Sequence, residues 1–150
     1  MMFVETVGCH RNKDHVELYL YLMARKLKIN RLSRRVTVHF KGTLDNDAQG
    51  LCVGDKKEVD ISIATKDQPF MMQMQALAHE MVHAKQFLRG ELSSTGVWKW
   101  KGRNANNFQY ENQPWEKEAY RLERELFLDC WPWALELNEL NRYKKIGEVE

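Results

Sequence analysis

The run from Asp67 to Gly90 constrains this chain more than any other segment. Phe70, Met74, Leu77, Met81 and Leu88 recur at helical spacing and form one apolar stripe. Asp67 before Gln68-Pro69 marks the start of that helix, and Gly90 stands at the usual C-terminal position. The face opposite the stripe holds His79 and His83, yet it also carries Met72, Ala76 and Phe87. A wholly solvated face is not composed that way. The helix is therefore expected to be covered on both sides, between a sheet and a second helix. Within it lies His79-Glu80-Met81-Val82-His83. Residues at i and i+4 share a helix face, so both imidazoles can reach one ion. Glu80 follows the first of them and can lie over the open coordination position, where it would take a proton from a metal-bound water.

Two histidines do not hold a catalytic zinc; three protein ligands plus a water usually do. The histidines are His10, His15, His39, His79 and His83, so none follows the motif. Gln86 and Arg89 stand where a metzincin would place a glycine and its third histidine, which excludes that class. SprT-like proteases also draw a third ligand from a downstream histidine and fit no better. A downstream carboxylate remains. Pro114 to Leu122 opens a helix with proline in the first turn and Asn112 as a reasonable cap. Trp115, Ala119, Leu122 and Leu126 form its apolar stripe. Glu116 and Glu118, two residues apart, point about 200° away from one another, so only one can face the ion. Glu116 shares a flank with Tyr120 and Phe127, the partly buried side. Glu118 shares the more solvated flank with Glu125. The wheel favours Glu116, with Glu118 the alternative.

A HExxH helix followed by a second helix bearing Glu116-x-x-Ala119 resembles the gluzincins, above all their smallest single-domain members and phage-borne metallopeptidase-like proteins. The resemblance runs from about Pro69 to Leu126. It implies a zincin-like fold, Zn2+ held by His79, His83 and Glu116, and Glu80 as general base. In that family the residue after the alanine is often Asp or Asn and supports the site from behind the ligands; here it is Tyr120.

At 150 residues one domain spanning 1–150 is expected. The formal net charge of +2 makes no electrostatic case for nucleic acid or a membrane surface as the main partner. The basic clusters Arg31, Arg34, Arg35 and Lys99, Lys101, Arg103 read as solvated faces. The start, Met1 to Thr6, lacks the basic and apolar regions of a signal peptide, and no stretch approaches the ~20 apolar residues of a membrane span. Cys9, Cys52 and Cys130 are odd in number and scattered, which argues for a reducing, cytoplasmic setting. Cys9-His10 reads as two surface residues rather than half of a metal site.

The remaining elements imply an α+β fold. A helix capped by Asp14 runs to about Lys28, with Val16, Tyr19, Leu20, Met23 and Leu27 inward. Val36, Val38 and Phe40 alternate with Arg35, Thr37 and His39 in a strand, and a turn follows at Asp45-Asn46-Asp47. Leu51-Cys52-Val53 is a second strand, Gly54 to Lys57 a turn, and Val59, Ile61 and Ile63 a third strand. The short turns favour a small, mostly antiparallel three-stranded meander. In the 92–113 region, Trp98 and Trp100 alternate with lysines before Gly102, suggesting a hairpin that either walls the cleft or covers the core. Tyr110 and Tyr120 are candidate oxyanion donors or supports of the site. Past Trp133 a short amphipathic helix, Ala134 to about Tyr143, precedes a polar tail.

The function expected from these residues is zinc-dependent peptide hydrolysis, most simply by an endopeptidase acting on a peptide or protein. A substrate strand would add along the edge Val59 to Ala64. The alternative is a zinc-stabilised module that binds protein without cleaving it, against which Glu80 counts. A DNA-associated protease-like protein rests only on the basic clusters.

Overall fold

A computed structural model describes residues 2–9, 11–94, 96–106 and 108–133. The order is β1 (Phe3–Val7), α1 (Lys13–Lys26), β2 (Arg35–Lys41), β3 (Gly50–Gly54), β4 (Glu58–Ala64), α2 (Phe70–Leu88), three two-residue strands β5 (Leu92–Ser93), β6 (Lys99–Trp100) and β7 (Arg103–Asn104), then α3 (Pro114–Cys130). The class is α+β. The expected Ala134–Tyr143 helix lies outside the described residues. Among the described residues no helix is long and apolar enough to cross a membrane.

The main sheet departs from the expected meander. It has four strands in the order β1-β2-β4-β3; β1, β2 and β4 are parallel, and only β3 runs antiparallel, against β4. Residues 55–57 are a tight connection, and a tight connection gives an antiparallel pair. The link from β2 to β3 spans residues 42–49, long enough to leave a gap that β4 fills. Val59–Ala64 is consequently a central strand, bonded on both sides, and not the edge expected for a substrate. The free edge on that side belongs to β3.

Val36, Val38, Val59, Ile61 and Ile63 turn one face of the sheet onto the helices and are fully buried. From α1, Val16, Tyr19, Leu20 and Met23 meet them, as their spacing implies. The left-handed residue Asn12 precedes this helix, so Asp14 sits in the first turn, where its charge suits the helix dipole, rather than at the cap. The helix also stops at Lys26, two residues early. Helix α2 begins at Phe70 rather than near Asp67, because Asp67 has φ 59° and Pro69 is extended. It ends on Gly90, φ 72°, whose N–H bonds the Phe87 carbonyl. It is buried around most of its circumference, packed on β3 and β4 on one side and α3 on the other.

Beyond it, β6 and β7 pair through Lys101-Gly102, both at positive φ, the geometry that a two-residue hairpin turn requires. Gln113, not Asn112, is the residue before α3, with Pro114 in its first turn.

One buried hydrogen bond ties α1 to the second turn of α2: the Tyr19 hydroxyl donates to the Met74 carbonyl at 2.9 Å. Tyr19→Phe keeps the ring contacts to Phe127 and Trp131 and removes only that bond. The expected cost is about 1 kcal/mol in urea unfolding with an unchanged slope. Equal or higher stability would show that the bond does not tie the helices.

Candidate metal centre

His79, Glu80 and His83 come from the centre of α2, and Glu116 comes from the first turn of α3. They are 9, 7, 8 and 8 % exposed, respectively. The helix periodicity that aims both imidazoles one way also sets them against α3, where Ala119 is small enough for close approach. One nitrogen of each histidine and one oxygen of Glu116 lie within 4.8 Å of one another. His79 Nε2 is 3.5 Å from Glu116 Oε1, and His83 Nε2 is in direct contact with the same oxygen. Ligands ~2.1 Å from a tetrahedral ion stand about 3.4 Å apart, so the His79–Glu116 edge has the size that a small divalent ion needs.

The surrounding charges also fit a cation. The site opens into a cavity of about 620 Å3 whose walls include Glu80, Glu116 and Glu123. Among the described residues lining it there is no lysine or arginine. Three carboxylates gathered in a partly desolvated cleft require positive charge from the histidines or from an ion.

The atoms of His79, His83 and Glu116 that face away from their shared point also have polar neighbours. The Tyr110 hydroxyl donates to Glu116 Oε2 at 2.7 Å. His83 Nδ1 meets Gln86 Oε1 at 2.8 Å, and His79 Nδ1 lies 3.6 Å from Glu123 Oε1. Histidines that bind metals are commonly fixed in this way. Tyr120, which stands where the gluzincin pattern often has an acid, stacks its ring edge-on against His79, with centroids 4.7 Å apart. A carboxylate, Glu123, lies nearly one turn further on, on the same side of the helix as Tyr120. Neither Gln86 nor Glu123 was legible as part of a site, because an isolated polar residue on a helix ordinarily faces solvent. The i+3 spacing from His83 to Gln86 and from Tyr120 to Glu123 is the only trace they leave in the sequence.

Two further expectations meet the structure here. Glu118 points away from the histidines, but it is not on a solvated flank. Its side chain is half-buried between Lys85 Nζ at 3.0 Å and Gln86 Nε2 at 3.1 Å, both contributed by the neighbouring helix. The 92–113 region does both things expected of it: Leu92 and Trp98 line the cavity, while Trp100 packs on Trp115 and Ala105 is buried.

Glu80 is a ligand to nothing in this arrangement. Its carboxylate lies over Gly50 of β3, where a Cβ would come within 2.9 Å of Glu80 Cγ and Oε1. Burial raises its pKa, and the two histidines offset only part of that rise. Glu116 goes the other way. Burial opposes its charge, but hydrogen bonds from His79, His83 and Tyr110 outweigh burial and hold its carboxyl far below the usual carboxylate range. Burial would lower both histidines, yet contact with Glu116 and the field of Glu80 carry them above their ordinary value.

No family model matches the chain, and comparison with curated proteins and with solved structures finds no match. What the site can do therefore has to be argued from its own geometry.

The histidine shifts give a sign that can be checked. A group whose pKa is raised on folding stabilises the fold below its unfolded pKa, here about 6.5, and that stability is lost as pH rises through the raised value. A metal ion bound there would take the place of those protons, so its stabilisation would grow over the same interval. The expected result is that the Tm of chelator-treated protein falls above about pH 6.5, while metal-loaded protein holds its Tm and the gap widens. A gap that stays constant or narrows from about pH 6 to about pH 9 would contradict the pairing.

Proposed function

We propose that this chain is a zinc metallopeptidase of gluzincin type with a zincin-like fold, cleaving peptide or protein substrates. The observation that carries the proposal is Glu80: a buried carboxylate beside three convergent metal donors, committed to none of them, and facing a cavity. A zinc held by His79, His83 and Glu116 supplies a Lewis acid that brings the pKa of a water toward ~7 and polarises a carbonyl. Histidine nitrogen with one carboxylate oxygen is a donor set suited to zinc.

Glu80 accepts the proton of the attacking water on a carboxylate oxygen and delivers it to the leaving amine. Its raised pKa makes it a stronger base toward that water than an ordinary carboxylate, while the protonated form stays acidic enough to protonate a leaving amine. Gly50 leaves the room in which this carboxylate lies. Tyr110 spends its proton on Glu116, so in the contact with Tyr120 at 3.2 Å it is Tyr120 that donates. Tyr120 is 56 % exposed, and by turning from Tyr110 it can offer its hydroxyl to a substrate oxygen.

The substrate backbone has an edge to pair with, on β3 rather than on the central strand β4. The bonds Ala64 N–H to Gln49 C=O and Asp55 N–H to Glu58 C=O bracket the β3–β4 pair. By the antiparallel alternation, the backbone groups of Gly50 and Cys52 then point outward along the cavity rim. Pairing there fixes a peptide without reading much sequence. Phe87, Leu92, Trp98 and Trp115 provide an apolar wall for one of its side chains.

The test separates metal from chemistry. Purified without chelator, the protein is expected to carry about one zinc per chain, lost in His83→Ala and weakened in Glu116→Ala. Glu80→Gln is expected to keep that zinc and the fold while hydrolysis of a casein or peptide-library substrate drops by roughly 100-fold or more. Hydrolysis by Glu80→Gln at the wild-type rate would remove the role assigned to Glu80. A zinc-loaded wild type that cleaves nothing in the library would favour a binding module instead.

A further inference from the structure

We infer that Gln86 is a positioning residue for the metal centre, locking His83 in the tautomer that offers Nε2 to the ion and tying that histidine to the helix that carries Glu116. The inference rests on the zinc reading above. Gln86 is 0 % exposed, a rare place for a primary amide, and every contact it makes leads to the site. An amide presents one acceptor end and one donor end, and its surroundings decide which way it faces. One end of Gln86 lies 2.9 Å from the Trp115 carbonyl and 3.1 Å from Glu118 Oε1. Both of those atoms can only accept, so that end must be the NH2. The carbonyl end is then left against His83 Nδ1 at 2.8 Å. An amide oxygen can only accept, so Nδ1 must carry a proton. With Nδ1 protonated, a neutral His83 has its lone pair on Nε2, the atom in contact with Glu116.

The same side chain also sets a spacing. Trp115 immediately precedes Glu116, so Gln86 holds the α2 ligand through one end and the backbone beside the α3 ligand through the other. Glu118 has its own role in this chain of contacts. Lys85 Nζ lies 3.0 Å from it and 2.7 Å from Glu91, which keeps the Glu118 carboxylate charged and in place to accept from Gln86. The Trp115 carbonyl alone suffices to orient the amide, so Glu118 reinforces the arrangement and removing it costs little.

The experiment uses the whole chain loaded with zinc and two variants. Gln86→Met keeps the length and volume but offers Nδ1–H only a weakly accepting sulfur and has no donor for Trp115. Gln86→Glu restores an acceptor for Nδ1–H. Zinc affinity by chelator competition is expected to fall roughly 10- to 100-fold in Gln86→Met and to recover only part of that loss in Gln86→Glu, which restores the acceptor but sets a carboxylate against Glu118 and the Trp115 carbonyl. Long-range nitrogen–proton NMR of zinc-loaded wild type is expected to show His83 protonated at Nδ1 and ligated through Nε2. Gln86→Met with wild-type affinity, or wild-type His83 ligated through Nδ1, would overturn the inference while leaving the zinc reading intact. Wild type that takes up no zinc would sink the zinc reading and the inference together. If Gln86→Met does not fold, the wild-type tautomer decides.

Discussion

Glu80 and Glu116 are buried beside His79 and His83 at the contact between α2 and α3, and the arrangement of the chain follows from that. Carboxylates out of water are costly unless something positive or hydrogen-bonded meets them. Here the cavity wall, among the described residues, offers no lysine or arginine. The imidazoles, the Tyr110 hydroxyl and a metal ion are what can compensate. Each needs exact placement, which explains why the helix that carries the motif is covered on both sides. β3 and β4 hold one side of α2, α3 holds the other, and Tyr19 anchors its second turn.

The two histidines are supported differently. His79 faces a carboxylate, Glu123, at 3.6 Å; His83 faces a neutral amide at 2.8 Å. A carboxylate partner raises the basicity of its imidazole and strengthens the bond to a metal, while an amide fixes orientation without adding charge. A fourth carboxylate in direct contact with this cluster would deepen the repulsion among Glu80, Glu116 and Glu123. The neutral partner at His83 avoids that, and the negative charge of Glu118 is kept one residue removed, balanced by Lys85.

Much of this was legible in the sequence, for reasons that differ by element. The inward faces of α1, α2 and α3 followed from apolar spacing, and the choice of Glu116 over Glu118 followed from where Trp115, Ala119 and Leu126 had to lie. The sheet order did not, because local turn lengths say which strands are consecutive and not which one is inserted between the others. Only a partner strand tells the parallel β2–β4 pair from a meander, and Phe3 to Val7, an edge strand that buries neither face fully, carries too weak an alternation to announce itself. The burial of Gln86, Glu118 and Glu123 leaves no signal in the sequence, because a polar residue in a helix has no periodicity of its own. Their burial is created by the opposite helix.

Zinc-edge X-ray absorption on the loaded protein tests the central claim most directly, because it counts the atoms around the ion without reference to activity. The expected spectrum has two imidazole nitrogens and at least one carboxylate oxygen at about 2.0–2.2 Å, four or five light scatterers in all and no sulfur. A shell of oxygens alone, or a sulfur contribution from Cys52, would contradict a centre built from His79, His83 and Glu116.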